Sequence, residues 1–125
     1  MPQIVLTDQS SVVSVNLANH GLGPLIVESI AFVKDGQKYA TITDCLDLEP
    51  RSYMHTAIRD EREKILLPGQ NLEIFAAELS RTRDEAFLDD VRKQLSILGL
   101  EVQGRDIYDN KVAVERDFSW FSRHG

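Results

Sequence analysis

From Ser11 to Asn19 apolar and polar residues alternate, with Val13, Val15 and Leu17 on one face and Ser14, Asn16 and Ala18 on the other. A period of two marks a half-buried strand. The following Asn19-His20-Gly21-Leu22-Gly23-Pro24 carries two glycines and a proline that interrupt any regular element, so a tight connection is expected. Leu25 to Val33 runs apolar on both faces, Leu25, Val27, Ala31 and Val33 against Ile26, Ile30 and Phe32. That reads as a central strand covered on both sides. Asp35-Gly36 tolerates positive φ and predicts a hairpin into Gln37–Thr43.

Between Asp44 and Lys64 the pattern is mixed and polar, and Pro50 is placed to open a short helix over Arg51–Ile58. Order returns at Ile65-Leu66-Leu67, followed by a Pro68-Gly69 turn. A further strand is expected with Leu72, Ile74 and Ala76 alternating against Asn71, Glu73 and Phe75. Thr82-Arg83-Asp84-Glu85 fits a capping box, in which hydroxyl and carboxylate each accept the other residue's backbone N–H. Phe87, Leu88, Val91 and Leu95 then recur at helical spacing, with acids early and Arg92 and Lys93 late, which complements the helix dipole. A helix over about 83–95 follows. Leu98, Leu100 and Val102 alternate next, Asp109-Asn110 marks a turn, and Val112, Val114, Phe118 and Trp120 share a face of the return strand. These two runs pair as an antiparallel hairpin.

Some seven short strands, one late helix and no βαβ rhythm predict a mainly β fold, an immunoglobulin-like sandwich of two antiparallel sheets. The helix before the final hairpin carries the chain from one sheet to the other. At 125 residues the chain is expected to form a single domain over 1–125, long enough to bury roughly two-thirds of its unfolded surface.

Charge and composition narrow the function. With 14 Lys and Arg against 20 Asp and Glu the net charge is −6, which argues against nucleic acid, since binding there requires concentrated cations. No run reaches the roughly 18 apolar residues of a membrane span, and no signal segment follows Met1, so a cytoplasmic location is the default expectation. The single Cys45 excludes an intrachain disulfide and a multi-cysteine zinc site.

Three segments carry a likeness: the Asn19-x-Gly21-x-Gly23-Pro24 connection, the Leu67-Pro68-Gly69-Gln70 turn, and the Asp106-Ile107-Tyr108-Asp109-Asn110 hairpin with the final strand containing Phe118. Over roughly residues 11–120 the chain resembles small, uncharacterised bacterial immunoglobulin-like β-sandwich modules, often found beside membrane helices in longer proteins. The resemblance implies a fold and leaves room for a membrane-anchored parent. It brings no activity and no catalytic residues.

Candidate chemistry is sparse. His20, His55 and His124 lie far apart and outside any metal-binding spacing, and the acids Asp84, Glu85, Asp89 and Asp90 ride the solvated face of a helix, so no metal and no cofactor is expected. Asp44 and Asp47 flank Cys45 and oppose thiolate formation. Gly21-x-Gly23 precedes a proline and a strand, which suits a turn better than a phosphate loop. A catalytic acid–base pair has no spacing to support it, so an enzyme is not expected.

What remains is binding. The leading expectation is a non-catalytic module that holds a protein partner, or a copy of itself, by an edge strand or a loop end. Its candidate partner-binding residues are Tyr108, Phe121, Asn19 and Pro24, the aromatics because they favour interface centres. The alternative is a small ligand such as a carbohydrate in the 46–62 loop, where Arg51, Tyr53, His55 and Arg59 combine an aromatic face with donors.

Overall fold

The computed structural model describes residues 2–9, 12–47, 53–55, 64–78 and 85–124, the side chains of 55, 85 and 122–124 excepted. The strands are β1 (Pro2–Asp8), β2 (Val12–Asn19), β3 (Leu25–Lys34), β4 (Gln37–Tyr39), β5 (Met54–His55), β6 (Lys64–Leu66), β7 (Asn71–Glu78), β8 (Leu98–Arg105) and β9 (Lys111–Asp117). A helix, α1 (Glu85–Leu95), separates β7 from β8. The chain is thus mainly β, with two antiparallel sheets ordered β1-β2-β7-β5 and β4-β3-β8-β9, β6 pairing β3 beside β4. Between the sheets lies one core that includes Ile4, Val15, Leu17, Val27, Phe32 and Leu100.

Two bulges re-phase the expected alternation. In β3, Val27 faces Gly104 and Ser29 faces Gln103, so Glu28 is an extra residue. Leu25, Val27, Ile30 and Phe32 are therefore the buried set, while Ile26, Ala31 and Val33 are half-buried. The strand is central and carries apolar residues on both faces, but only one face is fully covered. In β7, Val15 faces Phe75 and Asn16 faces Glu73, leaving Ile74 extra. Phe75 thereby joins Leu72 on the side of the sheet that Val15 and Leu17 share, although strict alternation placed it opposite. A bulge inserts one residue into one strand and reverses the faces beyond it.

Other expectations shift as well. Strand β1 lies ahead of the first strand read from the sequence, its Ile4 and Leu6 buried and paired with Leu17 and Val15. Met54–His55 is extended and pairs with Ala76 and Phe75, so the expected helix over Arg51–Ile58 does not run through its middle. The rest of that segment, and Thr82 of the capping box, lie outside the described residues.

The sandwich has two distinct ends. At one end the connections β2–β3, β6–β7 and β8–β9 come together; this is the loop end. At the other, α1 covers the gap between the sheets, with Leu88, Val91 and Leu95 in the shared core and packing against β2, β7 and β8. Arg92 clamps that helix to the end of β1, its Nε 2.7 Å from Asp8 Oδ1 and its Nη2 donating to the Gln9 carbonyl at 3.1 Å.

After Asp117 the chain leaves the sheet as a 3-10 turn over Ser119–His124, where the sequence led us to expect the strand to continue through Trp120. Residues three apart eclipse one another in such a turn, so Phe121 swings to the side of Phe118, the rings meeting edge to face at 6.1 Å. Trp120 packs half-buried against Phe121 at 5.3 Å.

Candidate functional site

At the loop end Asn19 is the organiser. Its Nδ2 donates to the Gly23 carbonyl at 3.0 Å and to the Leu66 carbonyl at 2.8 Å, while its Oδ1 accepts from the Gly21 N–H at 2.9 Å. Its backbone donates to the Gln70 carbonyl and accepts from the Gly69 N–H. Two connections cross from one sheet to the other here, and one amide side chain satisfies the polar groups of both. Gly69 takes φ +82°, which a residue without Cβ adopts freely. Asn19 is 2% exposed, so its side chain acts as a strut beneath the loop end, where the sequence led to the expectation of direct partner contact.

The β8–β9 turn is built by Asp106. Its carboxylate accepts from the N–H groups of Tyr108 and Asn110 and from Asn110 Nδ2, at 2.9, 2.9 and 3.0 Å. These bonds, chiefly those from Asn110, hold the carboxyl below the ordinary carboxylate pKa because they favour the charged form. Asp109 takes φ +67°, the left-handed position that Asp tolerates.

Between this turn and the 20–24 loop lies a groove of about 880 Å³, bounded by Leu22, Pro24, Ile107 and Tyr108 and running onto Val112 and Val114 of β9. Leu22 is fully exposed, Tyr108 is 80% exposed and Ile107 58%. Leu67 on the neighbouring β6–β7 connection and Ile65 within β6 are exposed. Of the large apolar side chains exposed among the described residues, most therefore crowd one end of the molecule. Pairing of β3 with β8, and of β8 with β9, brings residues 24 and 108 to the same rim.

The structure unites Tyr108, Pro24 and the largely buried Asn19 in this groove and places other candidates elsewhere. Phe121 is 0% exposed, so the expected patch of Phe121 with Tyr108 does not form; the 3-10 turn carries its ring into the core at the opposite end. Tyr53 is 3% exposed and packs on Phe75 with ring centroids 5.1 Å apart. Its face is spent on the core and is not offered to a sugar. Arg51, Arg59 and the side chain of His55 lie outside the described residues. Ile107 was missed from the sequence, and Leu22 entered only as part of the Asn19–Pro24 loop. The signal for Leu22 was present: an aliphatic residue between two glycines, off any strand, has no core within reach.

Chemistry elsewhere is muted. Among the described residues no three His, Cys, Asp or Glu side chains converge to hold a metal ion. Cys45, 3% exposed, follows a short 3-10 turn, and burial pushes its thiol pKa up, with Lys34 opposing and Asp44 adding to the effect. That keeps the sulfur protonated.

No family model matches the chain, and no curated protein matches it. Among solved structures, a protein from Archaeoglobus fulgidus is similar over 93% of this chain and 90% of its own, at 11% identity and a TM-score of 0.28. At that distance the likeness carries no argument about function.

Proposed function

We propose that this chain is a non-catalytic protein-interaction module, of the immunoglobulin-like sandwich kind, which docks a protein partner at its loop end and along an adjoining strand edge. The observation that carries this reading is the groove at the loop end. Its rim exposes Leu22, Ile107 and Tyr108, although the same chain buries its other aromatic side chains wholly or in part. Contiguous apolar surface of this kind marks interaction sites on folded proteins. Tyrosine suits an interface centre, combining a large apolar face with a hydroxyl. The groups beside it are poor catalysts: the Asp106 carboxylate is held ionised and tied within its own turn. No helix among the described residues is long and apolar enough to cross a membrane.

The test places a photo-crosslinking side chain at position 108, and in a control at Gln37 on the far end of the sandwich, in the chain expressed in its native host. Discrete protein adducts are expected from 108 and not from 37, and Leu22→Asp should abolish them without lowering the melting temperature. Equal labelling from both positions, or adducts indifferent to Leu22→Asp, would overturn the reading.

A further inference from the structure

We propose that the partner at the strand edge is a second copy of this chain, joined by antiparallel pairing of the two β9 strands centred on Val114. This rests on reading the chain as an interaction module and names the edge, the register and the occupant.

The edge is open and long. Bonds from Phe118 N–H to the Leu98 carbonyl and from Asp106 N–H to the Asn110 carbonyl fix the two ends of the β8–β9 ladder. Antiparallel ladders alternate, so Val112, Val114 and Arg116 exchange bonds with β8. The N–H and C=O groups of Lys111, Ala113, Glu115 and Asp117 consequently point away from it, towards a missing neighbour. On the opposite flank the edge strands β4, β5 and β6 are only two or three residues long, a common way to blunt an edge. The other long edge, β1, already receives Arg116 Nη1 on its Ile4 carbonyl at 2.9 Å.

Charge then selects the register. A two-fold axis normal to the sheet keeps each side chain on its own face, so a self-pairing must be centred on a residue. Centred on Val114, it sets Lys111 opposite the partner's Asp117, Ala113 opposite the partner's Glu115 and Val114 opposite the partner's Val114. The four outward-pointing residues all find partners, and unlike charges meet at both ends. Centring on Glu115 sets that carboxylate against the partner's Glu115, and like charges directly opposite are destabilising. Centring on Ala113 leaves Arg116 and Asp117 past the end of the partner's strand, with Asp117 facing the partner's Asp109. Asp117 is held ready, its Oδ1 accepting from the Ser119 N–H, and Lys111 is exposed on the same face. Half-buried Val112 and Val114 gain cover in the pair.

Sedimentation over a concentration series tests this on the full chain. The wild type should show a reversible dimer. Ala113→Pro should be monomeric with an unchanged melting temperature, because the N–H it removes has no partner among the described residues and proline is tolerated on an edge. Lys111→Asp and Asp117→Lys should each weaken self-association by about tenfold, whereas their equimolar mixture should form a heterodimer with both charge pairs restored. A wild type that stays monomeric up to millimolar concentration, or a dimer indifferent to both sets of changes, would overturn the proposal. A dimer that survives Ala113→Pro but is lost in Leu22→Asp would also overturn it, while leaving the interaction-module reading intact. Absence of both dimer and crosslinked adducts would sink the two together.

Discussion

At the helix end of the sandwich, apolar side chains turn inward and a polar clamp lies buried among them. The loop end reverses this arrangement, since its polar groups hold the backbone from within while apolar side chains stand in water. Leu88, Val91, Leu95 and Phe121 close the first end. At the second, Asn19 ties both sheet-to-sheet connections and Asp106 ties the last turn, so Leu22, Ile107 and Tyr108 are not required to hold them. The contrast teaches that exposed hydrophobic surface here is not a core left unfinished. The loops get their shape from hydrogen bonds, which leaves their apolar side chains free for the docking proposed above.

The largest effect should separate the two ends directly. Phe121→Ala removes a fully buried ring and should cost about 3–5 kcal/mol in chemical denaturation. Tyr108→Ala removes an exposed one and should change stability by no more than about 0.5 kcal/mol. Comparable losses for the two would erase the distinction.

The clamp comes next. Asp8 and Arg92 expose only 3% and 11% of their side chains, and Asp8 Oδ2 is buried with no hydrogen-bond partner among the described residues. Arg92→Ala would strand that charge and should cost about 3 kcal/mol or more, read as a lowered melting temperature. Restoring stability by adding Asp8→Asn would assign the loss to the unpaired carboxylate and not to helix packing.

Asn19→Ala is the loop-end counterpart. It leaves the Leu66 and Gly23 carbonyls without their side-chain donor and the Gly21 N–H without its acceptor, a cost of about 2 kcal/mol where the groups stay dry. Hydrogen exchange at Gly21 should quicken selectively. Loss of adducts from position 108 in this variant would show that the groove depends on the frame Asn19 supplies.

The sequence carries the architecture more clearly than the site. Alternation in β2 and β8, helical spacing through Leu88, Val91 and Leu95, and the Asp35-Gly36 turn all report local physics, and each corresponds to an element of the structure. The errors of face share one cause, a local change of period. Single extra residues at Glu28 and Ile74 reverse the faces of Phe32 and Phe75 relative to a strict period of two. A change from strand to 3-10 turn does the same to Phe121. The strand β1 places Ile4 and Leu6 inward, but the apolar Val5 between them blurs the alternation that would mark it in the sequence. The groove had no such signal, because Leu22 and Tyr108 meet only through strand pairings distant in sequence. Asn19 belongs to a similar class: its partner Leu66 lies 47 positions away, so its residue type suggested a turn but could not reveal a strut.

The smallest effect sharpens the comparison at its most local point, the Asp106 turn. The bonds from Asn110 and Tyr108 favour the ionised carboxyl, so its pKa in the folded chain lies below that in the unfolded chain. A depressed carboxylate pKa stabilises fully above the unfolded value, and the contribution disappears as pH falls through the folded one. Because Asp106 is exposed to solvent, protonation should loosen the turn without unfolding the sandwich. Carbon-detected NMR of the Asp106 carboxyl should therefore titrate below the usual carboxylate range. The amide signals of Tyr108 and Asn110 should move with the same midpoint, while those of Val91 and Leu95 under the helix stay fixed. Asp106→Asn should abolish that titration and weaken capture from position 108. If the carboxyl instead titrates at its ordinary value, charge is not what holds Tyr108 at the groove, and neutral turn geometry alone must account for its placement.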